Sequence, residues 1–190
     1  MPNVDNLIHE NLKDYVPIPN YKNIRELKLP QIPQDIVDRV IDRHTKDPNS
    51  YTSLWDQDDL PLPVYYEEPE AKIVTFSDSF NEEIDHWCKD NICDSIKWDW
   101  QILSKDLPIH RDFDADSLEN LVLHTKFFYV ITPGGNNVVT NFFNSEDPTD
   151  IIETYVIKTR TWYLFNAARH HNVVGIEPGK TRFTMVGNTF

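Results

Sequence analysis

Within Leu107-Pro108-Ile109-His110-Arg111-Asp112-Phe113, a histidine and an aspartate stand two positions apart. In an extended chain residues i and i+2 project to the same side. His110 and Asp112 therefore present an imidazole and a carboxylate together, while Arg111 points away. Such a pair suits a divalent metal that takes nitrogen and oxygen donors. The spacing alone says little: with 7 histidines and many aspartates, about one His-x-Asp arises from composition, and the bland reading is a strand-end histidine beside a solvated carboxylate. A further donor must come from far along the chain. The segment Trp162-Tyr163-Leu164-Phe165-Asn166-Ala167-Ala168-Arg169-His170-His171 supplies it, as an aromatic strand running into two adjacent histidines. Neighbours on a strand face opposite ways, so one of the two lines a shared pocket. Beyond them, Arg182 and Thr184 form another same-side pair. A buried guanidinium beside a hydroxyl is a good receptor for a carboxylate.

The elements that must carry these residues are mostly short strands. Ile96, Trp98, Trp100 and Ile102 alternate with Lys97, Asp99 and Gln101, and further runs follow at 121–131, 137–143, 150–157, 161–166, 172–176 and 182–187. Turn-forming clusters at Pro133-Gly134-Gly135-Asn136-Asn137 and Glu177-Pro178-Gly179-Lys180 separate several of them. Many strands without alternating helices imply an antiparallel sandwich or barrel. Two helices precede them. One covers PQDIVDRVIDRHTKD, with Ile36, Val37, Val40 and Ile41 on one face. The other covers SFNEEIDHWCKDNI, where Ser79 and Glu82 have capping-box spacing and Phe80, Ile84, Trp87 and Cys88 share a face. The expected organisation is one domain over 1–190: a proline-rich wrapping arm with one helix at 1–70, then a helix and a β core at 71–190. Tyr15, Tyr21, Tyr51, Trp55, Tyr65 and Tyr66 give the arm rings to dock.

In order and spacing, His110-x-Asp112, His171 and Arg182-x-Thr184 resemble the motif series of Fe(II)- and 2-oxoglutarate-dependent dioxygenases, over about residues 96–190. The resemblance implies a mainly β fold with flanking helices, a double-stranded β-helix or cupin-like jelly roll. It also implies Fe(II), 2-oxoglutarate and O2 as cofactor and cosubstrates. Leu164-Phe165-Asn166 followed by His171-Asn172-Val173 fits the family's distal histidine, with His171 as the metal ligand and His170 as the fallback. Asp112, where halogenating relatives carry a small residue, implies a full ligand set and oxygenation. Likeness to prolyl and aspartyl/asparaginyl hydroxylases implies that His124 contacts the cosubstrate. Lys126 shares its parity, and Asn141 is a further candidate. The implied function is hydroxylation coupled to oxidative decarboxylation of 2-oxoglutarate. The alternative is a non-catalytic cupin-like jelly roll that binds a metal or small ligand, and a third reading is a structural sandwich with incidental histidines.

Composition narrows the partners. Lys and Arg number 18 against 31 Asp and Glu, a net charge of -13. So acidic a chain is a poor general binder of nucleic acid or anionic membranes. No long apolar run is present, and the first residues lack a basic-then-apolar leader pattern, so the expectation is a cytoplasmic protein acting on a small molecule or peptide. Cys88 and Cys93 read as core thiols; with His86 they fall short of the four ligands of a structural zinc site. His44 reads as a helix-dipole contact, and His9 has no partner in view.

Overall fold

The structure, a computed structural model, describes residues 23–46, 71–75, 82–93, 97–110, 125–144, 147, 149–167 and 169–188. Its strands are β1 (Ile24–Leu27), β2 (Ala71–Thr75), β3 (Lys97–Leu103), β4 (Leu107–His110) and β5 (Thr125–Pro133), then β6 (Val139–Phe143), β7 (Ile151–Tyr155), β8 (Trp162–Asn166), β9 (His171–Val174) and β10 (Arg182–Asn188). They form two antiparallel sheets. One has six strands in the order β1-β8-β5-β10-β3-β2, the other four in the order β4-β9-β6-β7. Consecutive strands alternate between the sheets from β3 to β6 and again from β7 to β10. This is the expected jelly roll.

The period-two pattern explains the six-stranded sheet. On β3, Trp98, Trp100 and Ile102 are buried on one face, against α1 (Gln34–Lys46) and α2 (Glu82–Asn91). α1 starts where Val37 N donates to Pro33 O, and it buries Ile36, Val37 and Val40 while Arg39–Asp35 and Lys46–Asp42 pair along its exposed face. α2 buries Ile84 and Cys88 completely. Full burial of one such aliphatic side chain contributes about 1.5–3 kcal/mol. Two of the buried indoles are satisfied by backbone: Trp98 Nε1 donates to Cys93 O at 3.3 Å, and Trp162 Nε1 donates to Pro30 O at 2.7 Å. Both cysteines are buried and neither forms a disulfide, which suits a core role.

The arm departs from the expectation of loop plus helix. Ile24–Leu27 forms β1 and pairs with β8 along one edge of the large sheet, and Asn166 N donating to Asn23 O extends the pairing. A buried edge needs its backbone groups paired, and this short apolar-ended segment supplies the partner. Residues 1–22 and 47–70 of the arm, with His9 and the aromatic run at 51–66, and Ser79 lie outside the described residues. Among the described residues no helix is long and apolar enough to cross a membrane.

The opposite face of the large sheet meets the small sheet. Phe128, Val130, Tyr163, Phe165 and Val186 pack there with Phe142. The inward residues of β5 and β10 run in register as layers: Phe128 lies opposite Val186, Val130 opposite Thr184, and Pro133 opposite Arg182. Four residues of strand separate Arg182 from Val186, about 13 Å at the usual rise. The barrel interior thus has one end at Val186 and the other at Arg182.

Candidate functional site

β4 and β9 pair so that His110 faces His171 directly. Their ring centroids are 4.2 Å apart and each residue is only 4% exposed. His110 Nδ1 hydrogen-bonds Pro108 O, and His171 Nδ1 hydrogen-bonds Arg169 O, both at 2.8 Å. A carbonyl can only accept, so each Nδ1 is the donor, and in a neutral ring Nε2 is the nitrogen that could bind a metal. A metal-binding imidazole takes this form, with its second nitrogen anchored by a backbone or carboxylate oxygen. Both anchors are local, two residues back along the chain. Phe165 and Phe142 flank the His171 ring at centroid distances of 4.7 and 5.9 Å, which fixes its plane and keeps water from one side.

Of the adjacent histidines, His171 turns inward beside His110. His170 precedes β9 and is half-buried, its carbonyl accepting from Phe143 N. Asp112 and His124 lie outside the described residues, so the carboxylate of the expected ligand set has no position here. Among the described residues no three His, Cys, Asp or Glu side chains gather as a metal cluster.

Arg182 is 1% exposed and Thr184 fully buried, both facing the barrel interior. Among the described residues, Arg182 Nε and Nη2 and Thr184 Oγ1 find no hydrogen-bond partner. Arg182 Cζ sits 5.6 Å from the centre of the Phe128 ring, a cation–π contact. Burial alone pushes the guanidinium down to about 10, because a desolvated cation is disfavoured. An anion reaching this site would meet a buried charge and an unused hydroxyl. Gly134 makes room for it: with φ +81, it sits where a Cβ would come within 3.0 Å of both Cβ and N of Arg182. The turn that the glycines marked in the sequence is thus packed directly on the arginine.

A cavity lies beside His171. His171, Phe128, Phe165 and Val186 line it, together with Leu107 and Val173 and two polar side chains, Gln101 and Lys126. Lys126 is therefore brought to the same cavity as His171. Gln101 was not singled out in the sequence, although its alternation against the β3 tryptophans already put it on the face opposite theirs. Thr140 was also missed. It is fully buried on the inner face of β6, and its hydroxyl has no partner among the described residues. Asn141 is corrected: it faces outward, donating to Asn172 Oδ1 at 3.0 Å and accepting from Thr154 Oγ1 at 2.7 Å. Phe142 occupies the inner face, so its neighbour must turn away.

No protein-family model matches the chain, and no curated protein matches it. Solved structures do. A prolyl hydroxylase in complex with a hypoxia-inducible-factor oxygen degradation domain peptide, from Trichoplax adhaerens, matches at TM-score 0.59 and 12% identity, over 98% of this chain and 89% of that one. An oxidoreductase of the 2OG-Fe(II) oxygenase family from Burkholderia pseudomallei matches at 0.55 and 9%, over 98% and 90%. The non-heme alpha-ketoglutarate-dependent epimerase SnoN from nogalamycin biosynthesis matches at 0.51 and 8%, over 97% and 80%. At such identities the likeness is one of fold, and the fold of this chain is the double-stranded β-helix seen in those oxygenase structures.

Proposed function

We propose that this chain is a non-haem Fe(II) dioxygenase that couples oxidative decarboxylation of 2-oxoglutarate to hydroxylation of a small-molecule or peptide substrate. The observation that carries the reading is the in-register His110–His171 pair, with each Nδ1 proton committed to a backbone carbonyl. Asp112 would add the carboxylate of a two-histidine, one-carboxylate ligand set. Arg182 and Thr184 would grip the distal carboxylate of the cosubstrate, and His124 would contact the cosubstrate from the segment ahead of β5. When bound, ferrous iron and 2-oxoglutarate supply the activation of O2, yielding succinate and CO2. The chain's own share is positioning. Pro108 O and Arg169 O hold the imidazole tautomers, Phe142 and Phe165 fix the His171 ring, and Arg182 orients its ligand along the barrel.

The test begins under anaerobic conditions with the full chain. Fe(II) followed by 2-oxoglutarate should give a visible charge-transfer band, absent from His171→Ala and retained by His170→Ala. In air with ascorbate, succinate should form from 2-oxoglutarate. Unchanged iron content in both His110→Ala and His171→Ala overturns the reading. A band without succinate across a broad substrate panel replaces it with the non-catalytic cupin-like binding protein.

A further inference from the structure

β9 alternates between buried and half-buried residues, as a regular strand does, whereas β4 does not. In a regular strand, residues three apart face opposite sides. Leu107 and His110 are three apart, yet both are buried, with half-buried Pro108 and Ile109 between them. Both also point into the barrel. Leu107 lines the cavity with His171 and Val173, and the His110 ring sits against that of His171. The pairing of β4 with β9 accounts for this. Leu107 lies opposite Val173 and His110 opposite His171, so Pro108 and Ile109 together stand opposite Asn172 alone. Two residues against one in an antiparallel pair make a β-bulge, which re-aims the side chain that follows it.

We propose that Pro108 is a positioning residue: it builds the bulge that turns His110 into the barrel and aims its Nε2 at the metal site. Proline has no N–H to give to a ladder, so within sheets it is held to edges and bulges. β4 lies at one side of the four-stranded sheet among the described residues, where proline is tolerated with or without a bulge, so the proline by itself decides nothing. Its carbonyl supplies a second observation. Pro108 O accepts from His110 Nδ1 at 2.8 Å, whereas a carbonyl in a regular strand points sideways towards a neighbouring strand. His171 makes the same contact with Arg169 O, but β9 begins at His171, so Arg169 lies ahead of the ladder. Pro108 lies inside β4, and the bulge takes its carbonyl out of line. Without the extra residue's kink, Ile109 would take the inward place and His110 would face out. The geometry stands on the strand pairing, and its use for a metal rests on the proposed function of the His110–His171 pair.

The first readout needs no metal. In the apo chain at about pH 8, where an unperturbed imidazole is neutral, nitrogen NMR should show His110 protonated on Nδ1. Pro108→Val restores an amide N–H and a strand-forming side chain. It should move His110 to the Nε2–H form that exposed imidazoles favour, and lower anaerobic Fe(II) affinity about 100-fold. Deleting Ile109 from that variant leaves Leu107 and His110 two apart, so both face inward again and Fe(II) affinity should return to within about tenfold of wild type. If Pro108→Val fails to fold, deletion of Ile109 from the otherwise unaltered chain decides: retained Fe(II) binding supports the bulge and lost binding overturns it. Wild-type tautomer and affinity in a folded Pro108→Val also overturn it. A wild-type chain that takes up no Fe(II) overturns the proposed function instead, and the tautomer comparison still decides whether Pro108 aims His110.

Discussion

The two faces of the six-stranded sheet differ in the kind of polar group they bury. On the helix face, Trp98 and Trp162 stack edge-on at 5.6 Å, and each indole N–H ends on a backbone carbonyl. On the barrel face, the Arg182 guanidinium and the Thr184 hydroxyl are buried with polar atoms that meet no partner among the described residues, and Thr140 of the small sheet adds a second such hydroxyl. The difference is one of magnitude. An unsatisfied hydroxyl costs about 1–3 kcal/mol, and an uncompensated buried charge several times more. The polar atoms without a partner on the helix face among the described residues, such as the Tyr129 hydroxyl, are neutral, so the larger cost sits on the barrel face, where an anion would relieve it. Both faces are built by the same alternating strands, so a single residue's parity decides which regime it enters.

The sharpest way to break this comparison is Arg182→Met. An apolar isostere removes the unsatisfied charge, so the apo protein should gain about 2–4 kcal/mol in urea unfolding. Affinity for 2-oxoglutarate should fall about 100-fold or more, read by titration of the metal-loaded chain. Loss of apo stability in that variant would mean the guanidinium is already satisfied, and the contrast between the faces would vanish. The helix face makes the complementary prediction. Ile84→Ala should cost about 3 kcal/mol through the cavity it leaves, while cosubstrate affinity stays within about twofold of wild type because no ligand touches that face.

A third substitution probes the joint between turn and site. Gly134→Ala places a methyl 3.0 Å from Arg182 Cβ and N, on a backbone at φ +81. The strained conformation should cost about 1–2 kcal/mol. Because the displaced neighbour is Arg182, 2-oxoglutarate affinity should drop about tenfold as well. An affinity that is unmoved would detach the turn from the anion site.

Much of this arrangement could be read along the chain. The alternation of Trp98, Trp100 and Ile102 put them on one face, and the spacing of His110 to His171 to Arg182 anticipated residues that share one barrel interior. Those signals are local or periodic. What escaped was set by distant partners. β1 is four residues next to a proline-rich stretch, and only its pairing with β8, more than 130 positions later, makes it a strand. Asn141 was placed on the wrong side because the inner face of β6 is defined by Phe142 packing on Phe165 and Tyr155, not by any feature of the run itself. Thr140 looks like an ordinary β-former until its hydroxyl is seen fully buried. Parity is legible in a sequence, whereas the side that is inside is not.

The smallest effect belongs to a polar cluster that is exposed and paired, the limit opposite to Arg182. Glu177 joins the two turns at the arginine's end of the barrel: Asn136 N donates to its Oε1 at 2.7 Å, Lys180 Nζ meets its Oε2 at 3.0 Å, and Glu177 N donates to Gly134 O at 2.9 Å. The Asn136 amide, then Lys180, hold its carboxyl below the ordinary range. A carboxylate whose value is depressed on folding adds stability that is present above its unfolded value and lost as pH falls through the folded one. Glu177→Gln should therefore lower the unfolding temperature slightly at neutral pH, and the gap to wild type should close in acid. Salt should narrow it too, because the Lys180 contact is screened whereas the amide contact is short and local. A gap as wide at low pH as at neutral pH would mean that Glu177 acts through packing against Gly135 rather than through its charge. The buried guanidinium and the exposed carboxylate would then differ in kind and not merely in solvent screening.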